Sequence, residues 1–265
     1  MRKIGLLTLA GFLIFWSAKS LSDIDSVPAT PSEKTIVIVH GAWGGGWAFR
    51  QIEALLREQG YQVYRPTLTG LGERKHLSNP DIDLNTHIED ITNLFLFEKL
   101  DHVLLVGHSY GGMVITGVAN SLPERIHHLV YLDAFLPFNN ESVMSLTESQ
   151  NWQMKDLVKN GLLVPGWTNS DQPYPKDVPQ SAKTFTQPIL LDSKKRFHGS
   201  FILTVDQGKE ATEDRFFRYS ERAKSLGYDI LTLESNHNPQ WSAPEPLARM
   251  IDQIYRKSIK IKKEH

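Results

Sequence analysis

The sequence predicts an α/β fold, a mostly parallel sheet flanked by helices with a small inserted lid. Three observations predict it. Short β-branched or aliphatic runs alternate with stretches of helical spacing along most of the chain. The first run, Thr35 to Val39, is β-branched throughout, the mark of a strand buried on both faces, and the alternation calls for a parallel sheet covered on both sides. The alternation breaks once, from 138 to about 196, and then resumes. A length of 265 residues suits one such domain with an insertion, and 40% hydrophobic residues supply a core for it.

The first 20 residues read apart from the fold. Arg2 and Lys3 precede an apolar run from Ile4 to Trp16, and Ala18 and Ser20 put small residues where a signal peptidase reads. The run is shorter than the ~20 residues that span a bilayer. The expectation is a signal peptide over 1–20, a flexible leader over 21–33, and an exported protein, periplasmic or secreted, with no stable membrane insertion after signal removal. Removing 1–20 takes away Arg2, Lys3 and Lys19 and no acid, which leaves a mildly acidic chain with no electrostatic reason to seek nucleic acid. The absence of cysteine excludes disulfides and thiolate metal sites.

Thr35 to Val39 reads as a buried strand. Helical spacing follows from Ala48 to Gln59 and stops at Gly60. Gln62 to Tyr64 is a second strand. Asn85 to Phe97 is helical, with Ile88, Ile91, Leu94 and Phe95 on one side. Val103 to Val106 predicts a strand, Gly111 to Asn120 a helix and His128 to Leu132 a strand. Residues 138–196 are richer in Pro, Asn, Gln and Trp and too long for a plain loop, so they are expected to form the lid. Beyond it come Phe201 to Val205 (strand), Glu213 to Ala223 (helix), Ile230 to Leu233 (strand) and Pro244 to Lys257 (helix). The core is thus expected over 34–137 and 197–265.

Gly107-His108-Ser109-Tyr110-Gly111 joins a predicted strand to a predicted helix. That is the setting of a nucleophile elbow, a turn so tight that the positions two away from the serine must be nearly bare. It would present Ser109 at a helix N-terminus, with the Tyr110 backbone N–H facing a developing oxyanion. A serine hydroxyl needs a base. His237, just past a late strand in Ser235-Asn236-His237-Asn238-Pro239, fits the chain order serine, acid, histidine. His40 and His108 adjoin strand or turn and read as packing and hydrogen-bonding residues. The remaining histidines show no metal-ligand spacing, so no metal is expected. The glycine-rich loop His40 to Trp47 can approach the serine closely, and the Ala42 backbone N–H is expected to be the second oxyanion donor. Trp43, Trp152, Trp167, Tyr174 and Trp241 suggest an apolar pocket under the lid, with Trp43 and Trp241 named as pocket residues.

Val39 to Trp43, Pro66 to Arg74, Gly107 to Gly112 and Leu129 to Pro137 together resemble one group. It is the bacterial carboxylesterase branch, similar to plant methylesterases, hydroxynitrile lyases and pyrethroid hydrolases, of the α/β-hydrolase superfamily. The resemblance is strong over about 34–137 and looser over 200–255. It implies the α/β-hydrolase fold and cofactor-free hydrolysis of a small or medium apolar ester through an acyl-enzyme. Hydroxynitrile lyases of the group carry lysine after the catalytic histidine, where this chain has Asn238, which argues against a lyase. A non-catalytic ligand-binding member of the fold is the other alternative, and the intact serine and histidine argue against it. The triad acid has two candidates, each directly after a predicted strand. Many members of the superfamily would place it at Asp206, others at Asp133. The apolar Ala134 to Pro137 after Asp133 favours it over Asp206, which a charged stretch follows. The expected partner is a small-molecule ester, with the chain a monomer or homodimer.

Overall fold

A computed structural model describes residues 34–148, 154–169, 171–192, 194–195 and 197–263. The expected signal peptide and leader, and Trp152, lie outside these residues. Six strands form one sheet: β1 (Thr35–Val39), β2 (Gln62–Tyr64), β3 (Val103–His108), β4 (Ile126–Leu132), β8 (Gly199–Val205) and β9 (Asp229–Glu234). Their order is β2-β1-β3-β4-β8-β9, and every neighbouring pair is parallel. Parallel pairing requires crossovers. These are made by α1 (Arg50–Glu58), α2 (Leu84–Phe97), α3 (Gly111–Ser121) and α6 (Phe217–Ser225), and α7 (Pro239–Ser242) and α8 (Pro244–Lys263) follow the last strand.

Why the inner strands are apolar on both faces is visible in how they divide. In β1, Val37 and Val39 join one core cluster with Ile91, Val114 and Val118, while Ile36 and Ile38 join the opposite one with Ile52, Leu56 and Leu247. In β3, Leu105 and Leu104 divide in the same way. Alternate side chains therefore enter helix-covered layers on both faces.

Two differences from the sequence reading stand out. The stretch expected to be helical from Glu213 begins its α-helix only at Phe217. Ahead of it, Asp214 Oδ1 accepts the Phe216 N–H at 2.7 Å, a local side-chain bond that competes with helix formation. The inserted stretch has elements of its own: α4 (Val143–Thr147), a three-stranded antiparallel sheet of β5 (Val158–Lys159), β6 (Leu162–Leu163) and β7 (Gln180–Ser181), and α5 (Lys183–Thr186). None exceeds five residues, too short for a period to register in the sequence. Among the described residues no helix is long and apolar enough to cross a membrane.

Candidate active site

Ser109 stands between the end of β3 and the start of α3 with φ of 53°, a left-handed conformation that a serine adopts only under constraint. The constraint is close packing. A Cβ on Gly107 would lie 2.7 Å from the Gly111 carbonyl oxygen, and one on Gly111 would lie 2.5 Å from that of Val39. Only glycine fits at either place. The Ser109 N–H donates to Leu132 O at 3.2 Å and its carbonyl accepts from Phe135 N–H at 3.1 Å, so the turn is tied to the end of β4.

Asp133 leaves β4 next to that tie, also with positive φ (44°) and fully buried. Its Oδ1 accepts the Thr204 N–H at 3.1 Å. Its Oδ2 lies 2.6 Å from His237 Nδ1, and His237 Nε2 lies 3.0 Å from Ser109 Oγ. The tautomer that satisfies both bonds has Nδ1–H donating to Asp133 and Nε2 accepting from the serine hydroxyl. Three side chains distant in sequence thus form one hydrogen-bonded chain. Asp206, at the end of β8, faces the same cavity but pairs with Lys209 at 2.7 Å and is half-exposed.

The imidazole of His237 is held from both sides. Phe216 stacks on it at 4.9 Å with the rings 5° from parallel, and Phe216 is itself wedged against Phe135 and Tyr219. His108 lies 4.9 Å away on a tilted plane, and its Nε2–H donates to the His237 carbonyl at 2.8 Å. Burial, reinforced by the adjacent His237, pushes His108 down to about 3, so it remains a neutral strut. His40 is also neutral: burial lowers it to about 4, while its Nδ1–H donates to Gly41 O at 2.7 Å and its Nε2 accepts the Leu68 N–H at 3.1 Å. It ties the glycine-rich loop to the loop after β2.

These groups open onto a cavity of about 600 Å³. Ala42 lines it, and among the described residues neither the Ala42 nor the Tyr110 N–H has a protein acceptor. The Tyr110 side chain points into the core instead, donating its hydroxyl to His87 Nδ1 at 2.9 Å and stacking on Phe185. Trp43 and Trp167 line the cavity, but the wall is not the apolar one expected from the sequence. Asp206, Lys209, Glu213, Asp214 and Arg215, from the charged stretch after β8, share it with Asp177 of the inserted stretch. Burial, then the charge of Asp133, raises the Asp214 carboxyl to about 6, and burial raises Asp177. Trp241 is corrected outright: it does not line this cavity but is 52% exposed and stacked on Trp47. Tyr174 likewise borders a separate depression beside Trp47. Phe216 and Asp177 were not singled out from sequence. The only signal for either is proximity to a strand end or membership of the inserted stretch. Among the described residues no group of three His, Asp or Glu is arranged to hold a metal.

Comparison with known proteins agrees with this fold. The sequence model of the Alpha/beta hydrolase family matches residues 36–250. A carbendazim hydrolyzing esterase of Nocardioides sp. (strain SG-4G) is 35% identical over 240 residues, 81% of this chain and 97% of that protein. A pyrethroid hydrolase of Sphingobium wenxiniae is 36% identical over 104 residues, covering 38% of this chain and 36% of that one. An extracellular alpha/beta-hydrolase from a Paenibacillus species superposes with a TM-score of 0.69 at 21% identity, covering 83% of this chain and 98% of that one.

Proposed function

The chain belongs to the alpha/beta hydrolase family and is a carboxylesterase of that fold, and from this premise we propose that Ser109, His237 and Asp133 are its catalytic triad. The observation that carries the reading is the hydrogen-bonded chain from Asp133 through His237 to Ser109, opening onto a cavity. In this mechanism Ser109 Oγ attacks the ester carbonyl as His237 Nε2 takes its proton. Asp133 holds the ring and stabilises the imidazolium without being protonated itself. The backbone N–H groups of Ala42 and Tyr110 receive the oxyanion. His237 returns the proton to the departing alkoxide, and water releases the acyl group by the same steps in reverse. Trp43 borders the substrate, and Trp241 has no part. Residues 138–196 act as the lid, a reading supported by Trp167 and Asp177, which they contribute to the cavity wall.

Ser109→Ala tests the assignment. Hydrolysis of p-nitrophenyl acetate falls to background while circular dichroism stays that of the wild type. A folded, active alanine variant overturns it.

Export is the second part of the proposal, resting on the charged start, the short apolar run and the small residues at 18 and 20. N-terminal sequencing of protein from its native host is expected to begin near Leu21, and Met1 retained on a cytosolic protein contradicts it.

A further inference from the structure

Asp177 reaches the reaction cavity from the inserted stretch. Two bonds fasten that part of the stretch to the loop after β1: the Val178 N–H donates to Trp43 O at 2.9 Å, and the Trp43 N–H donates to Gln180 Oε1 at 2.8 Å. Trp43 itself holds positive φ (61°), so the loop is constrained where the two segments meet. The result sets the Asp177 carboxylate over the glycine loop, with Oδ1 3.7 Å from where a Gly44 side chain would begin. Trp43 and Trp167 stand beside it on the cavity wall and meet edge to face at 5.4 Å, and the Trp167 side chain donates to the carboxylate.

What this corner lacks is a cation. A carboxylate taken partly out of water gains from a cationic partner, which offsets part of the cost of its lost hydration. Burial does raise Asp177, yet no basic side chain pairs with it among the described residues. The remaining charges on the cavity do not supply one. Lys209 is engaged by Asp206, Asp133 by His237, and Glu213 and Asp214 add further negative charge against Arg215. A carboxylate beside two indoles is the chemistry that receives a positively charged nitrogen, by direct attraction and by cation–π contact.

We infer that the corner of Asp177, Trp43 and Trp167 is a subsite for a cationic nitrogen, so that the esters preferred at Ser109 carry an ammonium or comparable group. The substrate class rests on the carboxylesterase reading of the site. The subsite itself rests only on the corner's geometry. Anionic esters are disfavoured by the same field.

A matched pair of esters tests it: 2-(trimethylammonio)ethyl acetate and its uncharged carbon isostere, 3,3-dimethylbutyl acetate, at pH 8 and low salt. The wild-type protein is expected to favour the ammonium ester by about ten-fold in kcat/KM, the size of a partly desolvated cation–π and carboxylate contact. Asp177→Asn brings the ratio to near parity, and Glu213→Gln, which removes another negative charge from the cavity wall, lowers it less. Equal rates in the wild type overturn the inference, as does a ratio that survives Asp177→Asn or falls equally in both variants. Calorimetric binding of the two esters to Ser109→Ala protein reads the corner without chemistry. There the ammonium ester binds about ten-fold tighter, and the gap closes when Asp177→Asn is added. Parity in binding overturns the subsite whatever the turnover. An active Ser109→Ala protein overturns the nucleophile instead, and the kcat/KM ratio then judges the corner.

Discussion

Asp133 and Asp206 each follow a strand of one parallel sheet and face one cavity, and their surroundings separate them. The Asp133 carboxylate is fully buried between the Thr204 N–H and His237, whereas Asp206 is half-exposed and held by Lys209. A buried carboxylate orients an imidazole and favours its cation more strongly than a solvated one. Asp133→Asn is therefore expected to lower kcat by ~10⁴-fold, as loss of the acid does in other serine triads. Asp206→Asn, assayed beside it on the same ester, loses far less, and the reverse order contradicts the assignment. Phe216 acts through His237, on whose ring it stacks. Phe216→Leu is expected to lower kcat by up to about ten-fold, the worth of an aromatic stack, with KM little changed. An unaltered kcat removes it as a positioning residue. At this scale the sequence announces Ser109 and His237, because the elbow constrains its neighbours in the chain and the base follows a strand end. It leaves two acids open because both strand ends reach the same rim. It is silent on Phe216 and Asp177, whose roles arise from contacts across long separations.

The elbow between β3 and α3 is legible because its strain is written in glycine. Gly111→Ala would drive a Cβ to 2.5 Å from the Val39 carbonyl, against backbone that cannot move aside. Such overpacking costs about 1–3 kcal/mol. Chemical unfolding is expected to show a loss of that order together with lost activity. Gly166→Ala, where a Cβ meets nothing within 4 Å, is the control, expected to change stability by under about 0.5 kcal/mol. A Gly111→Ala protein as stable as the control contradicts the packing argument. The four inner strands β1, β3, β4 and β8 are readable because apolar runs buried on both faces have no other home, while the edge strands β2 and β9 are only partly buried. The inserted stretch is readable only as an interruption, since its strands are two residues long and pair with one another. The late start of α6 depends on the single Asp214 bond, which propensity and periodicity do not record.

Across the whole molecule, the buried histidines set the response to acid. Burial lowers His40 and His128 to about 4 and His108 to about 3, each from 6.5. The unfolded chain therefore takes up protons on these rings below pH 6.5 that the folded chain refuses, so stability falls as pH drops from 6.5 toward 4. Asp214 and Asp177, raised by burial, act in the opposite sense, Asp214 below about 6, two groups against three. The melting temperature is expected to be level above pH 7 and to decline steadily from 6.5 to 4.5, and a constant value across that interval contradicts the assigned neutral state of these rings. The same rings hold the site together, His108 through the His237 carbonyl and His40 through the glycine loop, so fold and chemistry share one set of supports. The central claim is that this assembly forms an acyl-enzyme on Ser109. The most direct measurement is acid quenching during turnover of p-nitrophenyl acetate, followed by peptide mass mapping. One acetyl group on the peptide containing Ser109, present in wild-type protein and absent from Ser109→Ala, is the predicted result. An acetyl group carried on another residue in both proteins, with turnover unchanged, would contradict it.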